Sequence, residues 1–316
     1  GTRLGRHHNA ATGLDRTTYT LTLPGRAPAT LELAVACLAD FARGLAIPEA
    51  AVASERRIVL EEMRARQSAG RRLRERLLEL LLPEAHLAGR HPLGDPEVVA
   101  AATADGLRRF HERWYRPDTC TLAVVGDLEP GEVAAAVSRR LGDWRADRSR
   151  PAPPEIDLGE PARDVTHVIS GPRLAPEVRL ASLLRLSGTR TVADLHRQLA
   201  RDGALWLLGR RLVELTAAGS TAIRDTRLAR SAVVGSWNLV EAVADARPED
   251  LEEAIAGLAA ELARVERHGF ADDELALLAR SLGMAARRAC RRDAARDVAT
   301  CLVELLAAIH AGVPPP

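Results

Sequence analysis

Polar and apolar residues alternate from Thr17 to Leu23, which predicts a half-buried strand that ends at the Pro24-Gly25 turn. The period then becomes helical. Apolar positions recur every three or four residues over 29–43, and again from Pro48 through Arg66, resuming to Leu82. Pro48 suits a helix's first turn, where its missing N–H would have had no partner. His91-Pro-Leu-Gly-Asp-Pro96 reads as a loop. Helices are predicted over 103–115 and 130–142, with an apolar, β-branched strand between them from Thr119 to Val125. Pro151, Pro153, Pro154 and Pro161, set among charges, mark 146–162 as a linker between domains 1–145 and 163–312. The second domain reads as strands over 164–169 and 176–186, a helix over 191–216, two strands within 220–239, and helices over 248–267 and 271–311. Residues 313–316 open another linker. Strands and helices are grouped rather than alternating, so the fold class is α+β, with antiparallel sheets packed by helices.

Within the second helix, Glu55 and Glu62 stand seven residues apart in Ser54–Arg64. Seven steps of 100° return to within ~20° of the starting direction, about 10 Å further along the axis. Ala51, Val52, Ile58, Val59 and Met63 are expected on that side. Arg57, Glu61 and Arg64 fall opposite, where Glu61 can pair across a turn with either arginine. Two carboxylates in an apolar stripe must be neutralised, paired or bound to a metal. A structural ion pair with an arginine from elsewhere would satisfy them, and so would a metal.

Composition narrows the picture further. Hydrophobic content of 47% with only 3% aromatic residues implies a core of Ala, Leu and Val. All 44 basic residues are arginine, and the net charge is +1 with the signs interleaved, which argues against a nucleic-acid-binding surface. Cys37, Cys120, Cys290 and Cys301 lack metal-binding or Cys-x-x-Cys spacing and are expected to be buried free thiols. No apolar run approaches the ~18 residues of a membrane span. Cytoplasm and periplasm both stay open as compartments.

Four ordered segments are similar to the pitrilysin/insulinase family of zinc peptidases, the inverzincins. They are Asn9-Ala-Ala-Thr12 with Asp15, Thr17 and Tyr19; Glu55 through Arg64; Arg90-His-Pro-Leu-Gly94; and Trp114-Tyr-Arg-Pro-Asp118 through Val124-Val-Gly-Asp127. Leu208-Gly-Arg-Arg-Leu212 and Arg267 through Leu275 extend the resemblance into the family's second domain. It implies two successive homologous pitrilysin-like domains, the first N-terminally incomplete. By resemblance, Glu62 is the third zinc ligand, and Glu55 is a glutamate that helps orient the site without touching the metal. Two histidines of a His-x-x-Glu-His helix would complete the zinc set, with the glutamate inside that motif as general base. By the same resemblance, Asn9, Ala10 and Ala11 form an edge strand that pairs with an extended peptide substrate. An ordinary edge strand is the alternative. Ala11 stands where the family often has an aromatic residue, which implies a shallower side-chain pocket.

One departure governs the functional reading. No His-x-x-Glu-His or His-Glu-x-x-His occurs in the chain, and by the family's spacing the motif would fall before Gly1. His7 and His8 do not replace it, because neighbours on a strand point to opposite faces. His91, His111 and His196 are isolated. The expectation is therefore part of a zinc metalloendopeptidase for short or unfolded peptides, inactive as this chain alone. Its partners would be a peptide and the rest of its own polypeptide or a homologous subunit. The alternative is a non-catalytic homologue that serves as scaffold, peptide binder or partner subunit.

Overall fold

The computed structural model describes residues 8–23, 25, 27–65, 68–85, 92–146, 149, 152, 158–163, 166–186, 188–217, 222–293 and 297–313. The chain divides into two compact units, Gly1–Ile169 and Ser170–Pro316. In the first, strands β1 (His8–Thr12) and β2 (Thr17–Leu21) pair antiparallel. Helices α1 (Pro28–Arg43), α2 (Glu49–Ala65), α3 (Ala69–Leu81), α4 (Pro96–Ala100), α5 (Ala104–Trp114) and α6 (Pro130–Leu141) follow.

Local chemistry sets these helix starts. The Pro48 carbonyl accepts the N–H groups of Ala51 and Val52, so the proline lies just outside α2. Ser68 caps α3 by accepting the Arg71 N–H, which separates it from α2. Asp95 caps α4 and Thr103 caps α5 in the same way. Leu31, Val35 and Ala136 form the α1–α6 core, with Leu128, Val133 and Val137 packed against it.

Thr119 closes a turn and 120–125 belong to no helix or sheet, contrary to the strand expected there. A strand needs a neighbour to complete its ladder, and none lies alongside among the described residues. Its start is fixed instead by Arg116, buried and bidentate to Asp118 at 2.9 and 3.0 Å, and by the Thr119 hydroxyl donating to the Trp114 carbonyl at 2.6 Å. Leu122 and Val124 remain 37% exposed. Of the strand expected at 164–169, residues 166–169 are likewise unpaired, and 164 and 165 lie outside the described residues.

The second unit holds β3 (Glu177–Arg185), α7 (Val192–Ala217), β4 (Ile223–Val234), β5 (Trp237–Ala246), a 3-10 turn at Pro248–Asp250, α8 (Leu251–His268), α9 (Asp272–Asp293) and α10 (Val298–Ala311). The antiparallel sheet runs in the order β3-β5-β4. Thr191 and Asp194 exchange bonds as a capping box at the start of α7. Val178, Ala242, Ala244 and Ala246 pack with Leu212, Ile223, Ala254 and Leu258, the small-residue core that the composition implied. On the other sheet face Val243 is fully buried between Arg179 and Arg227 in the register. These arginines pair with Glu177, Glu241 and Asp245.

The helix expected over 271–311 is two helices, with Asp297 capping the second through the Thr300 N–H. Gly269 ends α8 at φ 68° and ψ −147°, a conformation open essentially to glycine alone, so the chain doubles back into α9. That return brings Glu274 onto Arg211, which donates to both carboxylate oxygens at 2.7 and 2.6 Å. Buried Glu261 lies 3.5 Å from the same guanidinium and accepts a bond from Arg264. The guanidinium also sits 5.1 Å from the Phe270 ring centre. The bonds from Arg211, and one from the Ala271 N–H, hold Glu274 at about 2 against the opposing effect of burial.

Arg211→Met strands two carboxylates and is expected to cost the second unit about 3–5 kcal/mol in urea denaturation at neutral pH. Because the Glu274 pKa is depressed from 4.5 to about 2, its contribution is fully present above the upper value. It is lost as pH falls through the lower one, so the wild-type advantage over Arg211→Met should shrink across that window. Gly269→Ala, which strains the turn, should cost about 1–3 kcal/mol in the same assay.

Candidate functional site

The two carboxylates of α2 do not lie in its buried stripe. Val52 and Met63 are buried, with Arg56, Val59 and Leu60 half-buried beside them. Glu55 is exposed, Glu62 is half-buried, and Ile58 between them is 55% exposed. The expected stripe was therefore set too wide. Its Ala51–Glu55–Ile58–Glu62 side is about 80–100° away from the residues that pack, at 100° per residue. Glu61 does pair with Arg64 on the far side, as the spacing implied. The result is an uncharged, β-branched residue in the open, flanked by two carboxylates.

The second component is the edge of β1. Asn9, Ala10 and Ala11 are all exposed, and among the described residues no strand pairs with the side of β1 away from β2. Ala10 pairs with Tyr19 and Thr12 with Thr17, so these four side chains share one face. Asn9 and Ala11 use the other. The Ala10 N–H donates to Asn9 Oδ1 at 2.9 Å, and not to β2. Alternation then leaves Ala10 as the residue whose backbone groups face the open edge.

Behind β2 lies a set of contacts that sequence reasoning missed. Tyr19 stacks on Phe41 of α1 at 5.2 Å, and its hydroxyl meets the Tyr115 hydroxyl at 2.6 Å. Tyr115 stacks on His111 of α5 at 4.2 Å, and His111 Nε2 lies 3.0 Å from the Phe41 carbonyl oxygen. Burial, then the Tyr19 hydroxyl, pushes the Tyr115 phenol above the ordinary tyrosine range, so it stays protonated. Tyr19 and the Trp114-Tyr pair both stand in recognisable segments, but nothing in either segment says that they touch.

Among the described residues, no three His, Cys, Asp or Glu side chains converge as a metal site. His111 is engaged as above, His196 is exposed, and His91 and the loop residue Arg90 lie outside the described residues, as does His7. The cysteines are free, as expected, but not buried: Cys120 and Cys290 are exposed and Cys37 and Cys301 half-buried, since the cores close on Ala and Leu without them. No described helix is long and apolar enough to cross a membrane. Glu62 suits a zinc ion as one carboxylate ligand on an open face. The described residues do not supply the remaining ligands.

Residues 2–91 match the family model described as Insulinase (Peptidase family M16), and residues 101–182 match that of the Peptidase M16 inactive domain. The chain belongs to the pitrilysin/insulinase family of peptidases. It is 27% identical over 281 residues to the probable zinc protease PqqL of Escherichia coli, covering 87% of this chain and 30% of that protein. The crystal structure of the periplasmic protease PqqL from Escherichia coli superposes with a TM-score of 0.82 at 24% identity, over 99% of this chain and 35% of the other. The structure of that protease's first half gives 0.80 at 23% identity, over 98% of this chain and 66% of the other. This chain thus spans about a third of the length of the full relatives it matches.

Two substitutions check where α2 packs. Ile58→Ser should leave the unfolding free energy of the chain within about 0.5 kcal/mol of wild type. Met63→Ala should lower it by about 2–5 kcal/mol in the same denaturant titration.

Proposed function

We propose that this chain is a segment of a zinc metallopeptidase that hydrolyses short or unfolded peptides, and that it contributes two parts of the active centre. Glu62 is its zinc ligand, Glu55 steadies the site from one heptad away, and the β1 edge at Asn9–Ala11 pairs with the extended substrate. The observation that carries the reading is the open side of α2, where Glu62 stands beside an uncovered Ile58. A helix that brings histidine ligands to Glu62 would also cover Ile58. When bound, zinc held by two imidazoles and one carboxylate keeps a position for water and makes that water acidic. The histidines and the general base would come from residues outside this chain, either in the same polypeptide or in a homologous subunit.

A non-catalytic homologue is the second reading, favoured by the incomplete metal set among the described residues. It would use the β1 edge to hold a peptide or partner without hydrolysing it.

The test is zinc content and cleavage of a quenched fluorescent peptide by the polypeptide in which this segment naturally stands. Glu55→Gln should lower zinc affinity or activity by about 10–100-fold, as a partner one shell out does. Glu62→Gln should lose more than that and fail to retain zinc through dialysis. Stoichiometric zinc in the Glu62→Gln protein would remove the ligand assignment. A native polypeptide with no zinc and no cleavage would leave the second reading standing.

A further inference from the structure

Among the described residues, none of β1 or β2 is a buried hydrophobic residue, and none belongs to the α1–α6 core cluster. An isolated two-stranded hairpin is marginal in water. What ties this one to the helices is the ring of contacts through Tyr19: Phe41 against its face, the Tyr115 hydroxyl on its own, and His111 joining Phe41 to Tyr115. Thr17 and Tyr19 are alternate residues on one face of β2, and their partners across the ladder are Thr12 and Ala10. The Tyr115 phenol therefore fixes the Tyr19 rung, whose outer residue, Ala10, faces the open edge.

We infer that Tyr115 is a positioning residue for peptide binding: acting through Tyr19, it holds the register and orientation of the β1 edge at Ala10. This rests on the edge-strand reading above. Tyr115 touches no peptide itself. It sets the plane in which the Ala10 carbonyl is presented, and its N–H where a peptide displaces Asn9 Oδ1, so that an incoming strand meets a formed edge and not a fraying hairpin. The shared hydroxyl adds a directional bond that ring packing alone lacks. A phenylalanine keeps the packing and removes only that bond.

The test uses the 316-residue chain. Amide exchange is measured for wild type, Tyr115→Phe and Tyr19→Phe, together with binding of the fluorescein-labelled peptide Lys-Val-Ser-Val-Ser-Val-Ser-Lys by anisotropy. Either variant should speed exchange in 8–12 and 17–21 by about five- to ten-fold, the loss of one net hydrogen bond, without changing exchange in α1, α5 or α6. Peptide affinity should weaken by a similar factor. The double variant should be no worse than either single one, because both remove the same bond. Unchanged hairpin exchange in both variants overturns the inference whatever the peptide does. Faster exchange in a chain whose wild type binds no peptide overturns the edge-strand reading instead, and the positioning role with it. Tyr19→Phe reads the same bond from its other end should Tyr115→Phe fail to fold.

Discussion

A core made of alanine, leucine and valine supplies burial but little direction. With three phenylalanines, two tyrosines and four tryptophans in 316 residues, the chain has few large rings to lock distant segments in one arrangement. The long-range joins fall to directional bonds instead. Arg211 gathers α7, α8 and α9 through two carboxylates and the Phe270 ring. Tyr19 and Tyr115, 96 positions apart, do the same for the hairpin and α5. Arg116 and Asp118 fix the chain just beyond. Each joins a motif-like segment to another element, or to itself, by geometry that apolar contacts would leave loose.

The helices were legible because their signals are local: a 3.6-residue period, a cap, a proline or a glycine at the end. Strands were legible where alternation is local, as for β2 and β3, whereas the pair expected within 220–239 stopped short of β5, which runs on to Ala246. Thr119–Val125 has the composition of a strand, but pairing belongs to the neighbour as much as to the segment, and no periodicity reports on a neighbour. The facing of α2 failed for a related reason. Ala51, Ile58 and the true core positions all read as apolar, so the pattern could not say which side this chain covers. Burial separated them.

The candidate site was readable as residues and not as contacts. Glu55, Glu62 and Asn9–Ala11 stood out by pattern and resemblance, and the structure leaves Glu55 and Asn9–Ala11 exposed and Glu62 half-buried. The segments around Arg211 and Glu274 also stood out, but as separate stretches; their ion pair was not foreseen. A carboxylate 63 residues from a guanidinium gives no signal in a single sequence.

The Arg211 anchor has a mechanical corollary. It grips α9 within its first turn, while Met284 through Arg291 are exposed on every side of the helix. A rod held at one end and wet at the other does not open all at once. Its exposed stretch is the easier part to loosen, and opening that reaches the guanidinium must break the cluster to go further. The second unit thus has a graded rim and an abrupt interior, with Glu274 at the boundary between them.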